Sequence, residues 1–155
     1  MLLPDHRIRA LVEAGELGIS PWRPELLQPA SVDVTLGSQF VVNGAPRWCE
    51  VTLHPGRFVL GHTTERVRIP DYLAAQVDGK STWGRRGLLI HSTAGWIDPG
   101  FEGQITLELS NVSSEKIVLT AGVPIAQLVI FRMESAAERP YSGKYQGQTG
   151  VTPAR

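Results

Sequence analysis

A chain of 155 residues with 42% apolar content is long enough for one domain with a substantial core, and one cysteine, Cys49, excludes an internal disulfide. Fifteen basic residues balance fifteen acidic ones, so the net charge is zero, which argues against a protein that coats nucleic acid yet leaves room for a local anion pocket. No apolar run reaches membrane-spanning length and no long apolar segment opens the chain, so a cytoplasmic protein without a membrane partner is expected.

In chain order, Asp5 is placed to cap a helix whose Ile8, Leu11 and Val12 share a face, with Gly15 as its stop. A proline-rich connector from Pro21 to Pro29 leads into SVDVTLGSQFVV. There Val32, Val34 and Leu36 alternate with Ser31, Asp33 and Thr35, the period of a half-buried strand. Asn43-Gly44 is a hairpin signal. Val51–Leu53 and Arg57–Leu60 flank a His54-Pro55-Gly56 turn, and Val67–Ile69 and Leu73–Val77 read as further short strands. Beyond a glycine-dense central stretch come Ile105–Leu109, Ile117–Leu119 and Ile125–Phe131. Short apolar runs punctuated by Gly, Pro and Asn indicate a mainly β sandwich, jelly roll or barrel. The rhythm ends near residue 133, and residues 134–155 are polar and Gly/Gln-rich, as in a frayed end.

The central stretch, GKSTWGRRGLLIHSTAGWIDPGFEGQITLELSN over 79–111, holds the chemistry-bearing residues. Glu108 lies on the strand side opposite Ile105, Leu107 and Leu109, so it is either a solvent-facing carboxylate or a general base lining a cleft. Asp98 in GWIDPG fits an Asp-Pro turn as readily as a functional carboxylate. Lys80, Ser81, Thr82, Arg85 and Arg86 lie among Gly79, Gly84 and Gly87, a composition suited to a phosphate-like ligand but also to an exposed helical turn. His91 within LLIH reads as a satisfied core histidine. The four tryptophans read as packing residues, with Trp96 able to meet a ligand beside Asp98. Read this way, the residues define a β-rich domain with a mixed acidic and basic site.

Three blocks together resemble the dCTP deaminase family, a branch of the trimeric dUTPase-like fold: QPASVDVTLG at 28–37, the stretch 79–111, and KYQGQTG at 144–150. The resemblance implies a distorted jelly roll with a short N-terminal helix, assembled as a homotrimer with sites between subunits. It also implies zinc-independent hydrolysis of dCTP to dUTP and ammonia, consistent with too few cysteines for the Cys-rich zinc centre of other deaminases. Carried over by motif, Glu108 is the catalytic carboxylate, and Ser81 and Arg85 match the serine and arginine of the family's S-S-x-x-R block. Lys80 and Thr82 fall where phosphates are met, and Ile97 and Asp98 where base and deoxyribose are held. Tyr141, Lys144 and Gln148 match a C-terminal lid, making 1–133 the β domain and 134–155 the lid. Magnesium is expected on the triphosphate, with no metal ligand from the protein.

The aspartate of AGWIDPG also resembles the dUTPase residue that positions water at the α-phosphate. The triplet Thr93-Ala94-Gly95 is that of members that go on to dUMP and pyrophosphate. A dUTP diphosphatase alone, a deaminase acting only on dCTP or a modified dCTP, and a non-catalytic nucleotide-binding trimer are the alternatives. Relative to the family the chain is short between Cys49 and Val51, its lid linker is compressed to Ser142-Gly143, Thr82 replaces a serine, and Arg86 stands where an apolar residue is common.

Overall fold

A computed structural model describes residues 1–91 and 94–154. The chain opens with helix α1 (Asp5–Glu13), strand β1 (Gly18–Ser20), a 3-10 turn at Pro24–Leu26, and strands β2 (Leu27–Gln28), β3 (Ser31–Thr35), β4 (Gln39–Val42), β5 (Ala45–Trp48) and β6 (Glu50–Leu53). The long β7 (Phe58–Arg68) and β8 (Leu73–Gly79) precede a single helical turn, α2 (Ser81–Gly84). After it come β9 (Leu88–Leu89), β10 (Trp96–Ile97), β11 (Glu102–Asn111), β12 (Ile117–Thr120) and β13 (Pro124–Arg132).

All described pairings are antiparallel. Among the described residues, one sheet runs β5-β4-β7-β11-β9 with β1 added to β7, a second runs β10-β8-β13-β3-β2, and β12 pairs with β6. Their apolar sides meet in one buried cluster that includes Leu107 and Leu109 of β11, Val32 and Val34 of β3, Ala75 and Val77 of β8, and Leu128 and Ile130 of β13. The alternation along β11 is as the sequence predicts: Ile105, Leu107 and Leu109 face inward, while Thr106, Glu108 and Ser110 stay half-buried on the other side.

Several local expectations change. Pro4, not Asp5, caps α1, and the Asp5 carboxylate accepts the His6 amide instead. Strand β3 is buried on both sides, not one. It lies inside its sheet between β13 and β2, and each of its polar residues finds at least one partner. Ser31 bonds Gln127 at 3.2 Å, Lys80 ion-pairs with Asp33, and both Thr35 and Arg23 donate to Glu65. A carboxylate as buried as Glu65, 1% exposed, is tolerable only with such pairing. The His54-Pro55-Gly56 segment turns but makes no hairpin, because β6 pairs with β12 while β7 pairs with β11. Residues 67 and 68 belong to β7, not to a separate strand. The Asn43-Gly44 hairpin does form, with both residues at positive φ.

Where the family resemblance places a missing segment, Cys49 alone joins β5 to β6, with φ at 65°. Its amide donates to the Ser38 carbonyl at 2.8 Å and its carbonyl accepts from Ala121, so the short connection is tied at both sides.

Candidate active site

Glu108 is held by the rigid middle of the β7–β11 pairing, opposite Leu60, with its amide donating to the Ile90 carbonyl at 3.1 Å. Its carboxylate faces a cavity of about 410 Å³. From the β10 side come Ala94, Trp96, Ile97 and Asp98; from the C-terminal segment come Tyr141, Tyr145, Gln148, Thr152 and Ala154. Of the predicted residues, Glu108, Asp98, Trp96, Ile97, Tyr141 and Gln148 therefore meet at one place.

Asp98 does sit in a turn, but its carbonyl, not its carboxylate, accepts the Phe101 amide at 3.1 Å. The carboxylate is left to the cavity and makes no hydrogen bond among the described residues. Trp96 is 54% exposed and stacks on Phe131 at 5.8 Å, so it is no core residue. Trp48, 62% exposed, also departs from the packing role expected of it, whereas Trp22 and Trp83 do pack against the core. Tyr141 packs edge-on against Phe101 and its hydroxyl accepts the Tyr145 amide at 3.2 Å, which shows how the compressed Ser142-Gly143 linker closes on itself. Lys144 lies over the Tyr145 ring at 5.1 Å and does not line the cavity.

The cationic and hydroxyl cluster lies elsewhere in the chain. Lys80 and Ser81 line a second cleft, of about 430 Å³, with Gln76, Asp78 and the β9 segment. Asp33 ion-pairs with Lys80, and its second carboxylate oxygen is buried without a partner among the described residues. Ser81, Thr82 and Arg85 are exposed on the α2 turn and immediately after it, and Thr82 and Arg85 line neither cleft. Arg86 stacks over Trp83 at 5.0 Å, while the Trp83 indole donates to the Pro124 carbonyl at 2.9 Å. The segment thus takes the form of the exposed helical turn that the composition left open.

His91 is the residue that sequence reasoning underrated. It lines both clefts, and neither ring nitrogen has a hydrogen-bond partner among the described residues. It is not a satisfied core histidine. Burial pushes its pKa down, opposed by the Glu108 charge. Tyr145, Thr152 and Ala154 were also missed. Tyr145 lay inside the KYQGQTG block and could have been found there; the other two carry no motif.

Gly95 has a local reason. Its carbonyl accepts the Val77 amide at 2.7 Å, and a Cβ at 95 would lie 2.9 Å from the Val77 carbonyl oxygen. A side chain there would push the β10 approach off β8. Thr93 of the same triplet lies outside the described residues.

Among the described residues no three of His, Cys, Asp and Glu converge as a metal cage. A divalent cation reaching this site on a triphosphate would instead keep phosphate oxygens and water as ligands, a mode that suits magnesium.

The fold is that of the dUTPase-like β proteins. It is similar to the crystal structure of 2'-deoxycytidine 5'-triphosphate deaminase from Agrobacterium tumefaciens, with a TM-score of 0.72 and 22% identity over 83% of this chain and 47% of that one. It is also similar to the native EIAV dUTPase, with a TM-score of 0.59 and 23% identity over 83% of this chain and 98% of the other. The family model for dCTP deaminase-like domains matches residues 45–133. A Mycobacterium sp. (strain KMS) protein named "dCTP deaminase, dUMP-forming" is 48% identical over 181 aligned positions, covering 100% of this chain and 95% of that protein. This chain belongs to the dCTP deaminase family. Since 181 aligned positions exceed its 155 residues, the relative carries residues with no counterpart here, as the short β5–β6 connection and lid linker lead one to expect.

Proposed function

We propose that this protein deaminates dCTP to dUTP and ammonia and then cleaves dUTP to dUMP and pyrophosphate at the same site. The observation that carries the reading is the meeting of Glu108, from within β11, and Asp98, just past the end of β10, in one cavity with Tyr141 and Gln148. Near-half identity along the whole chain to relatives named for both steps supports it.

In the first step Glu108 takes a proton from water as its oxygen attacks C4 of the cytosine ring. It passes that proton to N3 and then relays the proton of the new C4 hydroxyl to the departing amine, so that ammonia leaves and the ring becomes a uracil. A positioned carboxylate of this kind contributes roughly 10²–10⁴-fold. Ser81 orients the water and Arg85 steadies developing negative charge. Lys80 and Thr82 meet the phosphates, Trp96 and Ile97 hold base and sugar, and Lys144 with Tyr141 and Gln148 closes over the triphosphate. In the second step Asp98 directs a water at the α-phosphate, and pyrophosphate is the leaving group. Magnesium on the triphosphate supplies charge neutralisation there; no zinc takes part.

Ser81 and Arg85 do not line the cavity that holds Glu108, so in this reading a second copy brings them. This favours a homotrimer of distorted jelly rolls with sites at the subunit contacts. The face beside Glu108 suits such a contact, since Phe58 and Leu89, 50% and 44% exposed, flank Ser110 across β11. Residues 1–133 form the nucleotide-binding domain and 134–155 the lid, in a cytoplasmic enzyme without nucleic-acid or membrane partners. No helix among the described residues is long and apolar enough to cross a membrane.

Incubation with dCTP and magnesium, followed by product separation, tests the whole reading. Ammonia, dUMP and pyrophosphate in equal amounts are expected. Accumulated dUTP would remove the second step, and unreacted dCTP beside cleaved dUTP would remove the first.

A further inference from the structure

The C-terminal segment docks along β11 as a strap whose attachment changes character midway. At first it pairs with the backbone: the Gly147 amide donates to the Glu102 carbonyl at 2.8 Å, and the Gln104 amide to the Gln148 carbonyl at 3.0 Å. From Gly150 to Thr152 the amides all donate to side-chain acceptors. The Gly150 amide donates to Gln104 Oε1 at 2.7 Å, the Val151 amide to Gln39 Oε1 at 3.0 Å, and the Thr152 amide to Thr106 Oγ1 at 3.1 Å. Val151 is buried by this docking site, 8% exposed, and Thr152 and Ala154 go on to line the Glu108 cavity.

Both glutamines are tied down from beneath, Gln104 by its side-chain amide and Gln39 by its backbone. The Gln104 side-chain nitrogen donates to the Thr63 and Thr64 carbonyls at 3.1 and 3.0 Å, which leaves its oxygen for the strap. The Gln39 backbone amide donates to His62 Nε2 at 3.3 Å, and His62 Nδ1 donates to the Thr63 carbonyl at 2.8 Å. One neutral tautomer satisfies both contacts. Its ring fills the space above Gly37, where a Cβ would lie 2.1 Å from the ring.

We propose that Gln39 and Gln104 are positioning residues, a two-glutamine clasp keyed by His62 that seats residues 150–152 and so closes the cavity around Glu108. The proposal rests on the reading of that cavity as the nucleotide site. Side-chain acceptors can be removed without breaking a strand pairing, so the strap can open while β11 stays paired, the behaviour a lid needs for substrate entry and product release.

Amide hydrogen exchange on the free full-length protein tests the clasp, with dCTP turnover measured on the same variants. In Gln39→Ala, protection across residues 150–152 should fall about three- to tenfold, the loss of one net hydrogen bond, while Ile105–Leu109 keeps its protection. Gln39→Glu keeps the acceptor and should keep the strap. Gln104→Glu turns a carboxylate toward two carbonyls and should release it. Where the strap is released, kcat/KM for dCTP should fall by a similar factor, and Gln39→Glu should restore it. Unchanged strap protection in Gln39→Ala, equal loss in Gln39→Glu, or loss spreading through β11 would each overturn the clasp. A released strap with undiminished turnover would uphold the clasp and overturn the assignment of the cavity to the nucleotide.

Discussion

Two clefts of similar size flank His91, and they divide the expected chemistry between them. One gathers Glu108 and Asp98 with the aromatic residues of the β10 segment and the strap; the other holds Lys80 and Ser81 beside the α2 turn. The first is the one the proposed deamination assigns to the activation of water. The second has a lysine fixed by a buried aspartate, and the proposal gives it to the phosphates. Contiguity in sequence from 79 to 111 therefore does not make one site within one chain. The same block lines two separate clefts, an arrangement that would suit the proposed symmetric assembly in which each copy completes its neighbour.

The largest effect should come from removing the proposed base on the first side. Glu108→Gln should lower ammonia release from dCTP by roughly 10²–10⁴-fold while calorimetry still shows nucleotide binding. A variant near full rate would leave the first cleft without its chemistry. Next, Gly95→Val forces a side chain against the Val77 carbonyl and shifts Trp96–Asp98, so dUMP formation should fall by about 10²-fold and dUTP should accumulate. Equal loss of both steps would mean that the displacement is not specific to Asp98.

The second cleft is tested by Asp33→Ala, which leaves Lys80 without its buried partner. Breaking such a pair costs about 3–5 kcal/mol where the remaining charge stays buried, and less here because Lys80 opens onto a cleft. Urea unfolding should show the loss, and KM for dCTP should rise more than kcat falls. A change confined to stability would sever Asp33 from the site.

The smallest effect is on pH dependence. Burial holds His62 and His91 below the ordinary histidine value of 6.5. Just below that value the unfolded chain binds protons that the folded one refuses, so the stability both residues contribute is present above 6.5 and is lost as pH falls through it. Around His62 lie the Gly37 backbone, the Gln39 amide, the Thr63 carbonyl and, across β11, Thr106, none of them titratable. His91 faces the Glu108 charge, which tempers its shift. Melting temperatures between pH 7.5 and 5.5 should therefore decline less steeply in His62→Gln than in the parent. Parallel slopes would show that His62 titrates alike in the folded and the unfolded chain.

Much of the β framework was legible because alternation along β11 and the Asn43-Gly44 turn are local signals. Glu108 and its side of the strand could be read the same way. What could not be read depends on partners distant in sequence. Strand β3 looked half-buried until Glu65, Lys80 and Gln127 arrived to satisfy its polar side. His91 looked like core because its neighbours in sequence are apolar, although two clefts converge on it. The division between the Glu108 and Ser81 surfaces was likewise hidden, since one contiguous block encodes both. Gln39 and His62 drew no notice at all, having no motif and meeting the strap only through the fold.

The most direct test mixes two inactive variants, Glu108→Gln and Ser81→Ala, after reversible dissociation and reassembly. If each site takes its carboxylate from one copy and its serine from another, about a quarter of the sites in randomly mixed assemblies regain both groups, and ammonia release should return to roughly that fraction of the parent rate. Mixed assemblies confirmed by native mass spectrometry that stay as inactive as either variant alone would contradict a shared site.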